Sequence, residues 1–386
     1  MKCKIFIFLV IFSASIFAGN FAYAATIYSN YSTGNDTTGD GTSGNPYKTF
    51  TKAYAMASAN DTLDLTGIFD WSNADETGES SGSTGFTISK ALTIQGHGAD
   101  QTFIQAASIP NTAGKRVFYA TSALVLKNLT VRYAYQNIAG FSGSAIYAGH
   151  LTLINCWIDQ NKNHGDRYVN GAIFSSGNLI IRNSTISNNE NGYAGGIYAY
   201  GTVEVTNSTF YNNYGEYYGA LYISNASGPA TVTNSTFLKN KADVVCADVC
   251  PWYSTLYIKN TIMAQKVGYD PNFDKGNSTI YDGGYNIVET QASPVVFSNG
   301  VNGNLVGVQA SLNIDTSLAT NSTSNGVPTL ALQEGSVAIN AGDPNETANN
   351  GINIPVVDQR VFYRSGVTDI GAFEYEGSAD YSRPIV

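Results

Sequence analysis

Ile181-Arg-Asn-Ser-Thr-Ile186, Val205-Thr-Asn-Ser-Thr-Phe210 and Val232-Thr-Asn-Ser-Thr-Phe237 are three versions of one phrase. Looser copies flank them: Leu126-Lys-Asn-Leu-Thr-Val131, Leu153-Ile-Asn-Cys-Trp-Ile158 and Ile258-Lys-Asn-Thr-Ile-Met263. Their asparagines, Asn128, Asn155, Asn183, Asn207, Asn234 and Asn260, recur at intervals of 27, 28, 24, 27 and 26 residues. A second phrase keeps step with the first: Ser144-Ala-Ile-Tyr147, Gly171-Ala-Ile-Phe174, Gly195-Gly-Ile-Tyr198 and Gly219-Ala-Leu-Tyr222. Short β-branched and aromatic runs, broken by Asn and Gly at a fixed period in the twenties, define a solenoid. No run is long or periodic enough for a helix.

Three strands per repeat, with Asn at the bend between the first two, fit an all-β chain wound as a single-stranded parallel β-helix. Rungs about 4.8 Å apart place like residues on like. Each bend Asn is then expected to bond its amide to the Asn above and below, as Asn ladders do in stacked strands. No repeat can bury its apolar face alone, so neighbouring coils supply the core.

Outward from the repeats, the chain divides into four parts. Residues 1–24 read as an export leader: Lys2 and Lys4 precede an apolar run from Ile5 to Ala18, and Ala22-Tyr-Ala24 is a small-x-small cleavage site. The run is too short for a comfortable membrane span, and no later segment is apolar enough for one. Residues 25–85 read as an N-terminal cap with an insertion loop. Phe50, Ala53, Tyr54 and Ala57 share one face of a short helix that closes the open end of the solenoid, and the polar stretch from Asp70 to Thr84 reads as a mobile loop. Residues 86–300 hold the β-helix, and 301–386 hold C-terminal loops and a closing motif.

Composition fits an exported repeat protein. Charged residues make up 13% of the chain, about half the usual share. A net charge of −9 argues against nucleic acid and against anionic membrane surfaces. Cys246 and Cys250 lie four apart, and a disulfide between them suits an oxidising compartment; the alternative is two unpaired thiols. Cys156 is left over on a strand.

Two segments outside the repeats carry a resemblance. Gly39-Asp-Gly-Thr-Ser-Gly-Asn-Pro-Tyr-Lys-Thr49 and Asn60-Asp-Thr-Leu-Asp-Leu65 resemble the start of pectin-lyase-like β-helix proteins. Ser336-Val-Ala-Ile-Asn-Ala-Gly-Asp-Pro344, Asp358-Gln-Arg360 and Asp369-Ile-Gly-Ala-Phe-Glu374 resemble the close of bacterial choice-of-anchor Q surface proteins. The Asn-Ser-Thr repeats are shared with polymorphic outer-membrane proteins. The resemblance implies a right-handed coil exported to the cell surface or beyond, and no particular reaction.

Candidate chemistry lies on one face and one edge. Alternation turns Tyr147, Phe174, Tyr198 and Tyr222 outward, one ring per coil, with Tyr193 and Tyr218 beside them. Such a file suits the stacked faces of an extended glycan; alternatively the rings pack beneath a loop. In lyases of this fold a Lys or Arg removes the proton beside a uronate, often with Ca²⁺ held by acidic side chains. Arg167 or Lys162 would be that base, with Asp166, Glu190 and Glu216 as the calcium ligands. The plainer reading is a solvated charged rim. Asp159 stands alone, without the paired aspartates a hydrolase needs, and His97 between two glycines reads as a bend rather than a catalyst. The sequence therefore favours a secreted or surface protein without a cofactor that presents a long face for adhesion or glycan binding. A polysaccharide lyase is the second reading.

Overall fold

The computed structural model describes residues 24–77, 82–165, 168, 170–224, 228–265, 267–268, 270–321, 324–344 and 353–377. Residues 1–23 of the expected leader lie outside them. The chain winds through about eight turns as a parallel β-helix, and every strand pairing along it is parallel. Crossovers between parallel strands of one sheet are right-handed by the steric preference of twisted strands, and this coil is right-handed. One turn runs through Leu179–Arg182, Thr185–Ser187, Glu190–Asn191 and Ile197–Ala199. The first two segments belong to ten-stranded sheets and the last to a seven-stranded sheet. To these three expected faces the chain adds a fourth, a sheet of five two-residue strands.

Alternation along each strand sets the core. Leu179, Ile181, Ile186 and Ile197 point inward and are fully buried, and their counterparts continue in neighbouring coils. The bend asparagines Asn128, Asn155, Asn183, Asn207, Asn234 and Asn260 all adopt left-handed backbone, with φ between 46° and 53°. Asn tolerates that region better than any other residue with a side chain except Asp. Asn155 donates to Asn128 at 2.9 Å and Asn207 to Asn183 at 3.3 Å. The column is linked in these two pairs rather than continuously: the C-terminal segment engages Asn207 and Asn260, and the buried amide of Asn234 meets no hydrogen-bond partner among the described residues. Val357 C=O accepts from Asn207, and Asp343 N–H donates to Asn260.

The continuous ladder stands one corner further along. Asn161, Asn189, Asn213 and Asn240 are fully buried, and each Nδ2 donates to the next Oδ1 at 3.0 Å. Each Oδ1 also accepts the backbone N–H of the preceding coil's Asn, or of Ala134 at the start of the column. Asn240 passes the chain to Asp248, which Asn272 also reaches. Every buried amide here is satisfied, as a polar core requires.

The capping helix spans Phe50–Met56, with Thr49 as its N-cap. The four expected residues are buried, and Phe50 packs edge-on against Phe86 at 4.7 Å. The stretch after Asp70 is not a free loop at its start. Trp71 is buried with its indole N–H on Val117 C=O, and buried Glu76 accepts the Phe50 and Thr51 N–H groups at 2.8 and 3.0 Å. An acidic residue sits there because the first turn of a helix leaves its N–H groups unpaired.

The C-terminal segment is a strap laid over the bend column. Asn325 donates to Asn155, Gln359 to Thr185 and Arg364 to Asn207, while Ala372 N–H meets Thr236 and Gly371 N–H meets Asn260 C=O. Its ions are buried with it: Arg364–Glu374 at 3.1 Å, Arg360–Asp358 at 2.6 Å and Lys259–Asp343 at 2.6 Å. Burial, then the nearby Glu374, pushes the Asp369 carboxyl up to about 6. A carboxyl whose folded pKa is raised costs stability when ionised, and the cost disappears as pH falls through the folded value. Relative to Asp369→Asn, the native chain is expected to gain stability between pH 7 and pH 5 in denaturant titrations. No change in that difference would contradict the strap's electrostatics.

Candidate functional site

The fourth sheet positions the most concentrated chemistry. Asn163, Asn191 and Ala242 point inward and are buried, so alternation sends Lys162, Glu190, Tyr214 and Lys241 outward. Strand register stacks Tyr135, Lys162, Glu190, Tyr214 and Lys241 on successive coils. Lys162 Nζ meets Glu190 Oε2 at 2.9 Å, and His164 Nε2 meets Oε1 at 3.0 Å. Burial works to raise the Glu190 carboxyl, but Lys162 and His164 outweigh it and hold the group below its usual range. Tyr214 donates to Asp243 at 2.7 Å. That bond, then burial, pushes its phenol up to about 12. Lys241 pairs with Asp243 at 3.1 Å and lies 4.5 Å over the Tyr214 ring.

Two concavities run along this column and share Glu190 and Tyr214. One of about 410 Å³ is walled by Asn111, Gln160, Lys162, Asn188 and Asn212. The other, about 320 Å³, is walled by Asn163, His164, Asn191 and Glu216. Together they make a groove lined by amides, carboxylates and a phenol. Of the residues expected to form a catalytic edge, Lys162 and Glu190 are brought together and Glu216 lines the same groove. Arg167 and Asp166 lie outside the described residues. Both Glu190 oxygens are already engaged, Oε2 by Lys162 and Oε1 by His164, so calcium there would have to displace them. Among the described residues no three His, Cys, Asp or Glu side chains are grouped to hold a metal.

The aromatic file exists but is covered, which corrects its reading as an open platform. Tyr119, Tyr147, Phe174, Tyr198 and Tyr222 follow one another with centroids 5.1, 4.9, 5.6 and 4.8 Å apart, the last pair edge-on. Phe174, Tyr198 and Tyr222 are only 9%, 6% and 4% exposed, and Tyr218 is 6% exposed. The cause is a second aromatic layer. Tyr193 lies edge-on to Tyr218 and Tyr222, Tyr200 packs on Tyr198, and Tyr218 stacks on Tyr222 at 3.8 Å. Burial raises the Tyr198 and Tyr218 phenols above their ordinary range. Only Tyr147 and Tyr193 of the expected six keep partial exposure, joined by Tyr200 and Tyr217. The Cys246–Cys250 disulfide is formed and sits at the end of this cluster, with Cys250 beside Tyr222 in register.

The remaining candidates are structural. Asp159 is buried and accepts bonds from Gln160, Ser187 and Asn188. His97 follows a strand and pairs with Asp64 at 2.7 Å. Cys156 is buried, and burial pushes its thiol up to about 12, so it is not a nucleophile at neutral pH. Sequence reasoning missed Tyr214. Its signal was the spacing of 24 residues from Glu190, the same interval that separates Asn183 from Asn207.

The family comparison agrees with this coil. Residues 92–266 match the family model of the right handed beta helix region. Among solved structures, the crystal structure of pectate lyase Pel9A is similar over 92% of this chain and 97% of its own, at 16% identity and a TM-score of 0.40. No curated protein matches in sequence. By architecture, then, this is a right-handed parallel β-helix protein carrying a polar groove along one narrow face.

Proposed function

We propose that this protein holds an extended, hydroxyl-rich glycan along the fourth sheet, without cleaving it. The observation carrying this reading is the column Lys162, Glu190, Tyr214 and Lys241, which gives a groove one outward side chain per rung. Rung spacing of about 4.8 Å is close to the length of one sugar unit, so successive sugars meet successive coils. Asn111, Asn188, Asn212 and Gln160 supply amide donors and acceptors of the kind hydroxyl groups pair with. Each groove lysine is already matched by a carboxylate, Lys162 by Glu190 and Lys241 by Asp243. With a net charge of −9, that favours a neutral glycan over a polyuronate.

The lyase reading needs Lys162 as a base, and its Nζ is already engaged by Glu190 Oε2 at 2.9 Å. An exported, surface-directed protein is part of this proposal, supported by the leader-like first 24 residues, the disulfide and the likeness of the closing motif to choice-of-anchor Q proteins. Titration calorimetry with neutral and uronic oligosaccharides, alongside ultraviolet monitoring for unsaturated ends, tests it. Tyr214→Ala and Glu190→Ala are expected to weaken neutral-glycan binding about tenfold each, the effect of losing roughly 1.4 kcal/mol. Unsaturated product that disappears in Lys162→Ala would replace this proposal with the lyase.

A further inference from the structure

The first strand of the coil, Thr26–Asn30, begins one residue after a polar contact that the glycan reading does not use. Ala25 N–H donates to Asp61 Oδ1 at 2.8 Å. Asp61 Oδ2 accepts the Ser58 N–H at 2.7 Å. The Ala25 carbonyl accepts Thr62 N–H at 2.8 Å, which sets the register of the first rung, Thr26 on Thr62. Asp61 is 6% exposed, so its carboxylate is largely withdrawn from water while meeting backbone N–H groups on both oxygens. Ala25 itself is exposed, leaving room around its nitrogen.

The sequence places the scissile bond of the leader between Ala24 and Ala25. That nitrogen is therefore the atom that processing would change. Hydrolysis by an export-pathway leader peptidase consumes one water, leaves a carboxylate on Ala24 and converts the Ala25 amide into a primary α-ammonium.

We propose that Asp61 is a socket for the chain's own processed N-terminus: cleavage after Ala24 replaces a neutral N–H by an α-ammonium that pairs with Asp61 and locks the first coil. A carboxylate holds a charged donor about twice as strongly as a neutral one. The unprocessed chain has the hydrogen bond without the charge. Processing thereby becomes a stabilising step for the N-terminal end of the solenoid, where Thr26–Asn30 is the edge strand of its sheet among the described residues. An α-ammonium that gains a partner has its pKa raised above the unfolded value of about 7.7–8.0. The stabilisation is fully present below that value and is lost as pH rises through the folded one.

The test uses the exported chain, with intact mass spectrometry defining its first residue. The free-amine chain is then compared in thermal unfolding with the same protein N-acetylated at Ala25 and with a chain retaining Ala24. Both modified chains are expected to unfold about 2–4 °C lower at pH 6–7, and the gap is expected to close above pH 10. Acetylation of an Asp61→Asn chain is expected to shift nothing. A mature chain starting anywhere but Ala25 would overturn the socket. So would equal unfolding temperatures for free and acetylated termini across that pH range. Neither outcome bears on glycan binding, which is read separately.

Discussion

Asp343→Ala is expected to lower the free energy of unfolding by about 3–5 kcal/mol, the cost of leaving one member of a buried ion pair alone. Lys259 and Asp343 are both fully buried, 2.6 Å apart. Lys259 ends the strand Thr255–Lys259 of a ten-stranded sheet, and Asp343 belongs to the C-terminal strap. Truncating the aspartate strands an ammonium in the interior beneath that strap. Adding Lys259→Met in the same chain removes the stranded charge and keeps the volume, so the double variant is expected to recover most of the loss. Urea titrations of the three variants measure this. A mild Asp343→Ala, or a double variant no better than the single, would show that the strap does not depend on this pair.

Asn213→Ala is the second large effect, again about 3–5 kcal/mol. Asn213 Oδ1 receives the Asn189 amide and the Asn189 N–H, while its own amide reaches Asn240 Oδ1 and Ile186 C=O. Deletion orphans several buried groups at once, each costing about 1–3 kcal/mol, and leaves a void between coils. Because a solenoid's coils interact mainly with their neighbours, the damage should be local. Hydrogen exchange is expected to accelerate in the coils around Asn189, Asn213 and Asn240 while the capping helix stays protected. Uniform loss of protection would contradict a nearest-neighbour ladder.

The repeat phrase made the coil readable because its period is carried by residues with one physical task each. Asn183 and its equivalents take left-handed backbone, and Ile181 and Ile186 fill the interior. The inner ladder was hidden for the opposite reason. Asn161, Asn189, Asn213 and Asn240 follow Gln160, Asn188, Asn212 and Lys239, a varied set that looks like polar loop although all four share φ of 53–57°. The two-residue strands of the fourth sheet were likewise too short to carry a pattern. Tyr198 and Tyr222 were turned away from the core, but periodicity within a strand says nothing of a second layer supplied by Tyr193, Tyr200 and Tyr218. The strap's partners lie up to 174 residues away, as with Gln359 and Thr185, beyond any local signal. Stacking of Lys162 on Glu190 was legible, since 28 residues separate both this pair and Asn155 from Asn183.

The groove is useful only if its rungs act in series. Affinity for neutral oligosaccharides of increasing length, measured by calorimetry on the native chain, tests that most directly. The account predicts binding that strengthens with each added sugar until the rungs from Lys162 to Lys241 are spanned, then levels off. The span should shorten in Tyr214→Ala. Affinity that ignores oligosaccharide length, or that is unchanged in Tyr214→Ala, would contradict a glycan lying along this face.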